Sequence, residues 1–540
     1  MEELLIEAIE NRNEYNSAKL FLAVTKKIIK CSNLSKGQMI FYVFDEKLKI
    51  YKNTPAMIIT HLVREELISF LTGKIKEVRD GKLMTKFGML VSCLGRNPFC
   101  CNLVSILAPM VYDEEFKKRL DSCRDTFNFR NGLVDLRTGK FRERTADDFV
   151  SKTLDYDYKK EKNEEKIKEV VEIFSSIFNN DADCLDTGFR FYGYCLTGHT
   201  KAEKMLFIVG PSAQNGKTTQ LVIFENCFPI YCKKISSKVF NENYEKAHKT
   251  FVELGNCRLC FIEELKKTNL DVDCLKDFIT GKKLGGVEVM YGTTTDIIPH
   301  CKTVITSNFY PTFPPDEGIQ RRVLLFLLKN KFIDKKAYDR LEDKIGCYIK
   351  DPSLAEKFKN DEYRLAYFHI LLPYAIKYYK EGLIYSDKFE SQWKGVCDEN
   401  DRMKSFIDTT YEITNNDADR IHKDDFTYDY NRYIGNNNLK VRWAHLLSDV
   451  KRLKLKYDRR KRANGKQGAI LGLKRKDEDD FEEKKEEENK EEEENKEEEY
   501  VIQPIDVKKF VNDVIDFEVE LGEKEEKEEK EEKEEKEEKE

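Results

Sequence analysis

The sequence predicts an α/β fold with a central sheet, helical regions on both sides of it along the chain and a disordered acidic tail. Three observations predict this. In residues 204–330, short apolar segments alternate with helical segments, which is typical of an α/β sheet. In residues 1–125, apolar side chains recur every three or four positions, as they do on amphipathic helices. Residues 477–540 are dominated by Glu and Lys, which cannot bury enough apolar surface to offset the entropy of ordering.

Chain length and charge restrict the number of domains and the kind of binding partner. At about 100–200 residues per domain, the 540-residue chain has room for about three to four domains. The net charge of −6 is unevenly distributed, because residues 477–540 hold 33 acidic residues and 12 lysines and leave +15 for residues 1–476. A basic body of this kind suits polyanions such as nucleic acids. We expect the tail to compete with DNA for the body, so that removing residues 477–540 tightens DNA binding at low salt.

Several classes of protein are disfavoured. The first residues, MEELLIEAIENR, lack the basic flank and apolar core of a secretory signal, and apolar runs such as residues 323–328 are too short to span a bilayer. We therefore expect a soluble protein without a membrane partner. Fifteen cysteines without a signal peptide indicate a reducing compartment. The C-x-x-C pair Cys257 and Cys260 has no further zinc ligands nearby, which favours thiols packed on a core strand.

The clearest motif is MLFIVGPSAQNGKTTQLVIF at residues 205–224, where an apolar strand leads through a glycine-containing loop into a helix. This is the context of a P-loop, in which backbone N–H groups hold phosphates, Lys217 reaches the β- and γ-phosphates and Thr218 binds Mg²⁺. Five residues separate Gly210 from Gly216, one more than in the standard motif, and Pro211 stands where the first glycine would be. An ordinary strand-turn-helix junction is the alternative.

Three later segments supply polar groups that such a site needs. RLCFIEEL ends an apolar strand with Glu263 and Glu264, which suit Mg²⁺ binding and activation of the attacking water, unless they begin a surface helix. Asn308 ends another apolar strand and could polarise that water, or only cap a turn. Arg321 and Arg322 precede a further strand and could neutralise γ-phosphate charge across a subunit boundary, with a structural salt bridge as the alternative.

In this order the motifs resemble those of superfamily 3 helicases, specifically the helicase part of the poxvirus-type primase–helicases of nucleocytoplasmic large DNA viruses. QNGKTT resembles the family's phosphate loop, FIEE its acidic motif, GIQRRVLLF its arginine-finger region, and residues 275–311 its β-hairpin and Asn motif. The resemblance covers about residues 100–475. It implies a homohexameric AAA+ ring that hydrolyses ATP between subunits, binds single-stranded and forked DNA, and unwinds DNA in viral DNA replication. It also implies the host cytoplasm, with the nucleus as the alternative.

The resemblance carries roles to particular residues. The cofactors would be ATP and Mg²⁺, with the metal at Thr218 and Glu263. The nucleotide would be held by the phosphate-loop residues Gly210, Asn215, Gly216, Lys217, Thr218 and Thr219. The catalytic groups would be the acidic pair, the sensor and the finger: Glu263, Glu264, Asn308, and Arg322 or Arg321. Residues 282–291 would form a pore hairpin in which Lys282 and Lys283 track the DNA backbone, or else only a solvated turn.

The same resemblance suggests a division of the chain. We expect a mostly helical N-terminal region, a helical pre-ATPase domain that starts with a β-hairpin, the AAA+ ATPase domain, a helical and winged-helix-like DNA-binding domain, and the acidic tail. Their boundaries are 1–125, 126–200, 201–345, 346–476 and 477–540. About 100 residues before the matched region are too few for a primase domain, so we expect no primase activity here. A separate primase or other replication factors are candidate partners.

The C-terminal part of the body is strongly basic. Residues 441–457 predict a helix, and RRKRANGKQGAILGL predicts a glycine-turned hairpin that could lie along a duplex. Between residues 449 and 476 there are 12 basic and 2 acidic residues. DNA contact by Arg459, Arg460, Lys461 and Arg462 is favoured over a nuclear targeting signal or a solvated face. The apolar segment 500–522 is either a docking segment, for a partner or for the body, or a chance island in a linker.

Two functions from different classes remain. The first is an ATP-dependent DNA helicase. The second is a nucleic-acid-binding scaffold or translocase with weak ATPase activity and no unwinding of its own, because of the altered loop. A small-molecule kinase explains neither the basic hairpin nor the acidic tail.

Overall fold

The computed structural model describes most of the body and one short segment of the tail. The described residues are 1–34, 39–210, 214–240, 254–255, 257–263, 272–282, 284–289, 293–297, 299–310, 317–414, 416–434, 441–476 and 505–516. The predicted disorder of the acidic tail falls on residues outside these ranges, apart from 505–516. No single helix in the described ranges is long and apolar enough to cross a membrane, although α4 and α5, defined below and bent by 87° at their junction, pass that test as a pair.

The N-terminal region combines helices with a small sheet. The helices are α1 (Glu2–Asn11), α2 (Glu14–Val24), α3 (Ala56–Glu77), α4 (Gly81–Gly95), α5 (Asn97–Met110) and α6 (Phe116–Arg119). Between α2 and α3 lies the antiparallel sheet β1 (Ile29–Asn33), β2 (Ile40–Asp45) and β3 (Ile50–Thr54). The region is therefore mostly helical, as predicted, but the prediction missed this sheet. The β2 sequence IFYVFD, which is aromatic and β-branched, is the signal for it.

The next region starts with the predicted hairpin, extended by a third strand: β4 (Thr126–Asn128), β5 (Leu133–Asp135) and β6 (Phe141–Arg142). Two helices follow, α7 (Glu164–Ile177) and α8 (Ala182–Leu196). The description of 126–200 as helical is therefore only partly right. Buried Arg144 ties this sheet to the N-terminal region. Its guanidinium donates to the carbonyls of Leu48 and Arg130 at 2.9 and 2.7 Å.

The centre of the molecule is a five-stranded parallel sheet. Its strands and the hairpin inserted between them are β7 (Met205–Val209), β8 (Cys232–Lys234), β9 (Leu259–Ile262), β10 (Leu284–Val289), β11 (Thr293–Ile297), β12 (Lys302–Ser307) and β13 (Val323–Leu327). The sheet order is β13-β7-β12-β9-β8, while β10 and β11 pair with each other as an antiparallel hairpin. The connecting helices are α9 (Lys217–Cys227), α10 (Val272–Thr280) and α11 (Glu317–Gln320). This confirms the predicted α/β sheet and shows that its five strands are parallel.

Both faces of this sheet are covered, as a parallel sheet requires. Alternate residues of β7 enter two different cores: Leu206 and Ile208 pack with α7, α8 and α9, whereas Phe207 and Val209 pack on the opposite face. A strand buried on both sides leaves only its ends open to solvent. Ligands of open parallel sheets bind at the carboxyl ends of the strands, so that edge is where a site is expected.

Helices dominate the rest of the body. The elements that follow β13 are β14 (Lys331–Ile333), α12 (Lys335–Tyr338), β15 (Cys347–Ile349), α13 (Leu354–Lys357), α14 (Asp361–Glu381) and α15 (Lys388–Asn400). The long helix α14 lies in the helical region that the sequence predicts after the sheet. Thirteen of its residues are buried, and it packs against α7, α8 and α9. It therefore joins the region before the sheet to the sheet itself.

The last part of the body forms its own core. Its elements are α16 (Arg402–Thr410), β16 (Tyr411–Ile413), β17 (Arg420–His422), α17 (Lys423–Tyr433), α18 (Trp443–Arg452), β18 (Lys456–Ala463), β19 (Lys466–Leu471) and β20 (Leu473–Arg475). Strands β17, β19 and β18 form one antiparallel sheet, and β16 pairs with β20. The helix predicted at 441–457 is α18, and the predicted hairpin is β18–β19. A final helix, α19 (507–516), packs back on the body.

Candidate functional site

The glycine-containing loop joins β7 to α9 at the carboxyl edge of the sheet. Gly216 has φ +79°, a left-handed conformation that favours glycine. A Cβ on Gly210 would lie 2.7 Å from Asn215 Oδ1 and 2.8 Å from Lys217 Nζ, so a side chain there would collide with the loop. Gly216 is thus favoured by its backbone conformation, and Gly210 by its close approach to two side chains of the loop. Residues 211–213, where the extra residue alters the motif, lie outside the described ranges.

Lys217 is the half-buried cation of this loop. Its Nζ donates to the Gly210 carbonyl at 3.0 Å and to Asn215 Oδ1 at 3.2 Å, both of which are neutral oxygens. Burial lowers the pKa of Lys217, because it removes water from the charged amine. An anion placed beside this amine would offset that cost. The geometry is therefore that of a cation held ready for an anionic ligand.

Long-range hydrogen bonds fix the loop to the chain that follows β13. Asn215 is buried, and its Nδ2 donates to the carbonyl of Asn330 at 2.8 Å. The backbone N–H of Phe332 donates to the carbonyl of Gln214 at 2.8 Å. Asn330 in turn donates from its own Nδ2 to the carbonyl of Ser176 at 2.7 Å. Sequence reasoning missed Asn330, because nothing local marks a residue whose partner is 115 positions away.

Two threonines follow Lys217 on the first turn of α9. The Thr218 side chain is exposed, and that of Thr219 is half-buried and lines a neighbouring cavity. An exposed hydroxyl at the start of a helix that follows a phosphate-type loop can ligate a cation. This position agrees with the metal-binding role predicted for Thr218.

The carboxylate predicted for the metal lies at the end of β9. Glu263 forms an ion pair with Lys234, at the end of neighbouring β8, while Glu264 lies outside the described residues. Burial first, and then the charge of Glu263, raises the pKa of Glu225 on α9, while Lys234 opposes that effect. Sequence reasoning missed both Glu225 and Lys234. Lys234 ends strand β8, which pairs in parallel with β9, and Glu225 lies on α9, so their nearness to Glu263 becomes visible only in the structure.

Thr218 and Glu263 supply only some of the ligands that a Mg²⁺ ion needs. A hydroxyl and a carboxylate oxygen are hard ligands of the kind Mg²⁺ takes, and the remaining positions of such sites are usually filled by phosphate and water. Within the described ranges, no group of three or more His, Cys, Asp or Glu side chains is arranged to hold a metal.

Asn308 lies between the loop and the acidic strand. Strand β12 pairs with β7 on one side and with β9 on the other, and Asn308 follows its last residue, exposed to solvent. The preceding residue, Ser307, accepts a hydrogen bond from Gly210 N–H at 3.3 Å. The sheet thus brings Lys217, Asn308 and Glu263 to one edge, although they lie 45 to 91 positions apart in the sequence.

The two arginines lie at the opposite edge, immediately before β13. Arg322 is buried, and its Nη2 donates to Glu203 Oε2 at 2.8 Å, while Nη1 donates to the Gly318 carbonyl at 2.5 Å. This contradicts the choice of Arg322 as the finger, because its guanidinium is held within its own chain as a structural salt bridge. Arg321 is exposed. It is the member of the pair that fits a contact outside the subunit.

The predicted pore hairpin exists as a backbone structure, with Val289 opposite Thr293 across its tip. The side chains of β10 and β11 and all of Lys283 lie outside what the structure describes. Lys282 precedes the hairpin and is exposed, but its Nζ lies 2.9 Å from Asp277 Oδ1. A DNA phosphate would have to compete with that carboxylate for Lys282.

The basic hairpin is well placed for contact with a polyanion. Strand β18 leaves the regular ladder between Asp458 and Arg462, and the four residues predicted to bind DNA are all exposed: Arg459, Arg460, Lys461 and Arg462. The turn residues Asn464 and Gly465 both have positive φ, 53° and 77°, as a two-residue hairpin turn requires. The irregular ladder and the exposed turn project the cations away from the core.

A cavity of about 750 Å³ adjoins the loop. It is lined by loop residues Gly216 and Thr219, by α7, and by the aromatic side chains of Phe332 and Tyr348, whose ring centroids are 5.6 Å apart. A cavity of this size can hold the non-phosphate part of a nucleotide. No motif in the sequence marks it, since its walls come from five separate segments.

Two family models match parts of the chain. A "D5 N terminal like" model matches residues 26–176, and a family of unknown function (DUF5906) matches residues 208–322. The second match covers the loop, β9, β12 and both arginines. Together, the two matches cover the region before the sheet and most of the sheet.

Three curated viral proteins are similar to this chain. "Putative helicase L207/L206" of Acanthamoeba polyphaga mimivirus is 24% identical over 69% of this chain and 40% of its own length. "Putative helicase V13" of Sputnik virophage is 23% identical over 77% and 54%, and "Putative helicase 184R" of Invertebrate iridescent virus 6 is 22% identical over 54% and 30%. The chain thus spans about half, or less, of the length of these relatives.

Among solved structures, the apo C terminal region of NrS-1 is similar to 86% of this chain and 100% of its own, with 11% identity and a TM-score of 0.43. The curated relatives and the D5 match confirm the resemblance to large-DNA-virus helicases that the motifs suggest. Residues 26–176 match the D5 N terminal like family, and the chain is similar to viral proteins named putative helicases.

Proposed function

We propose that the protein is an ATP-dependent DNA helicase of the superfamily 3 type, an AAA+ ring acting in viral DNA replication. The observation that carries this proposal is the meeting of Lys217, Asn308 and Glu263 at the carboxyl edge of one parallel sheet. A loop cation, a polar sensor and a carboxylate at that edge are the groups needed to hold and hydrolyse a nucleoside triphosphate.

The residues divide the work of hydrolysis. Lys217 would bind the β- and γ-phosphates, exchanging its neutral oxygen partners for anionic ones. Thr218 and Glu263 would hold Mg²⁺, which neutralises phosphate charge when bound. Asn308 would orient the attacking water, and Glu264 would serve as its base. Because phosphoryl transfer depends mainly on positioning and charge, no covalent step on the protein is required.

The arginine position favours a ring. Strand β13 has five residues, so its amino end lies about 16 Å from its carboxyl end. Arg321 therefore sits on the side of the sheet away from its own phosphate loop, and could reach only a nucleotide held by a neighbouring subunit. A hexamer in the host cytoplasm, with DNA in a channel lined by the β10–β11 hairpin, is the assembly we propose.

The C-terminal part of the body would contact DNA. Its order of helix, two strands, two helices and a β-hairpin, from α16 to β19, supports a winged-helix-like module, with α18 and the basic hairpin on its surface. The cations of the hairpin would lie along the duplex backbone. Forked DNA would thus be held both in the channel and at this module.

A second candidate is a DNA-binding scaffold or translocase with weak ATPase activity. The observation that favours it is the ion pair between Glu263 and Lys234, because a carboxylate already engaged by a lysine must be released before it can serve a metal. The additional residue in the loop points the same way.

The decisive experiment compares the wild type with Lys217→Ala, measuring ATP hydrolysis and unwinding of a fluorescent forked DNA in the same samples. Lys201→Ala, an exposed lysine just before β7, is the matched control. We expect Lys217→Ala to lower hydrolysis by about 10²-fold or more and to abolish unwinding, and the control to retain both. Unwinding that persists in Lys217→Ala would refute the helicase. Hydrolysis without unwinding in the wild type would favour the translocase, and tight DNA binding with no hydrolysis would favour the scaffold.

A further inference from the structure

The short helix α19 packs into the body far from its neighbours in sequence. Val511 and Val514 are 8% and 4% exposed and belong to the core shared with α7, α8 and α14. The Phe510 ring lies 5.6 Å from that of Phe189 on α8 and 6.5 Å from that of Tyr374 on α14, between centroids. This is the apolar segment whose role the sequence leaves open. In the structure it docks on the body.

The docked helix is also held at its carboxyl end. Lys162 Nζ donates to the carbonyls of Val514 and Ile515 at 3.0 and 3.2 Å. These carbonyls belong to the last turn of α19, where the helix dipole is negative and a cation is favourable. The apolar face and the capped end together define one orientation for the helix.

That orientation places the start of α19 at the cavity beside the phosphate loop. Val507, the first residue of the helix, lines the same cavity as Gly216 and Thr219 of the loop. Opposite it are the side chains of α7 and the aromatic pair Phe332 and Tyr348. The wall of the cavity is therefore made partly by residues that lie about 290 positions after the loop.

We propose that α19 is a cis-acting wall of the nucleotide site, which contacts the nucleoside part of the bound nucleotide through Val507 and is itself held more firmly when the nucleotide is bound. This inference rests on the proposed function, since it assumes that the cavity receives the nucleoside while Lys217 holds the phosphates.

Docking of α19 and binding of nucleotide must strengthen each other equally, because the two equilibria are thermodynamically linked. If docking of α19 strengthens nucleotide binding by some factor, then nucleotide must strengthen docking by the same factor. The acidic stretches of the sequence flank α19, with a net charge of −12 in residues 477–499 and −6 in 523–540. Nucleotide binding would thereby control how firmly the strongly acidic part of the chain is tethered beside the motor.

The first test measures the Kd of the full chain for a fluorescent mant-ADP with Mg²⁺. Val511→Asp with Val514→Asp places two carboxylates in the docking face, and Val507→Ala shortens only the cavity wall. The control, Lys508→Gln with Asn512→Asp, changes the net charge by the same −2 on the exposed face of the helix. We expect the buried double variant to raise Kd about tenfold, Val507→Ala to raise it less, and the control to stay within about twofold.

The second test needs no substitution, and so it does not depend on whether a variant folds. Hydrogen exchange of the backbone amides in residues 507–516 is followed in the wild type with and without saturating Mg²⁺ and ADP. We expect exchange of these amides to slow about tenfold with nucleotide. An unchanged exchange rate, or an equal Kd in all variants when the wild type binds nucleotide, would overturn the role of α19 alone. Failure of the wild type to bind nucleotide at all would instead overturn the proposed function together with this inference.

Discussion

The two edges of the central sheet carry the same kinds of cation but use them differently. At the carboxyl edge, Lys217 bonds to oxygens only two and seven positions away in its own loop. At the amino edge, Arg322 bonds to Glu203 across 119 positions, Lys302 to the Thr197 carbonyl across 105, and Arg258 to the Arg124 carbonyl across 134. Local partners can be exchanged for a ligand while the fold stays intact, whereas long-range partners hold the fold together.

Arg321 lies at the amino edge of the sheet, but we propose that it contacts a ligand instead of holding the fold together. It is exposed, whereas its neighbour Arg322 is buried. Arg322, Lys302 and Arg258 at the amino edge thus bond within their own subunit. We propose that Arg321, at the same edge, faces the next subunit. The predictions below test this division.

The largest effect is expected for Arg321→Ala. If Arg321 neutralises γ-phosphate charge in a neighbouring subunit, its loss should lower ATP hydrolysis by about 10³-fold while the free energy of unfolding changes by less than about 0.5 kcal/mol. Arg322→Ala should do the opposite, lowering the free energy of unfolding by about 1–3 kcal/mol because it removes the hydrogen bonds of a buried guanidinium to Glu203 and to the Gly318 carbonyl. Steady-state hydrolysis and urea unfolding measure the two quantities.

Mixing subunits sharpens this test. Inactive Lys217→Ala and Arg321→Ala proteins, when mixed, should regain part of the hydrolysis, because some interfaces would combine an intact loop with an intact Arg321. Absence of any recovery in rings shown to exchange subunits would count against action across the interface. Full activity of Arg321→Ala alone would remove it from the site.

A smaller effect is expected at the basic hairpin. Changing four cations to Gln should weaken binding to duplex DNA about 10- to 100-fold and reduce the slope of log K against log salt by about 0.9 per lost phosphate contact. The four are Arg459, Arg460, Lys461 and Arg462. The control removes the same charge from four exposed cations of the N-terminal region, namely Lys26, Lys27, Lys76 and Arg79. If both sets of substitutions weakened DNA binding equally, the net charge of the protein, and not the position of the hairpin cations, would determine DNA binding.

The smallest effect concerns Lys302 at the amino edge. Burial lowers the pKa of Lys302 from 10.5 to about 7. Between these pH values the unfolded chain binds more protons than the folded chain, so the contribution of Lys302 to the free energy of unfolding rises with pH, by up to about 1.4 kcal/mol per pH unit. When urea unfolding is measured between about pH 7 and about pH 8.5, the free energy of unfolding of Lys302→Met should lack this rise. The exposed control Lys201→Met should keep it, and a variant with the wild-type slope would contradict the assignment.

Much of the site follows from the local sequence. The strand, loop and helix at residues 205–227 are contiguous, and their apolar pattern and glycines predict them together. The basic hairpin is similarly local, since its Asn464-Gly465 turn requires the positive φ that the structure shows. The three-stranded sheet β1–β3 was missed because the amphipathic helices around it dominate the pattern of residues 1–125.

What the sequence could not predict depends on distant partners. Arg321 and Arg322 are adjacent and chemically identical, and only Glu203 distinguishes them. The docking of α19 depends on Lys162 and on α8 and α14, which no feature of residues 505–516 identifies. The roles of Lys283 and Glu264 stay predictions, because both lie outside the described residues.

The position of Val507 in the cavity wall has a consequence for biosynthesis. A ribosome adds about 5–20 residues per second, so about 15–60 seconds separate synthesis of the phosphate loop from synthesis of residue 516. During that interval the nascent chain carries Gly216 and Lys217 but lacks one wall of the neighbouring cavity. A newly made subunit would therefore hold nucleotide weakly until its α19 has left the ribosome and docked, which would delay nucleotide-dependent assembly until the chain has been synthesised through this helix.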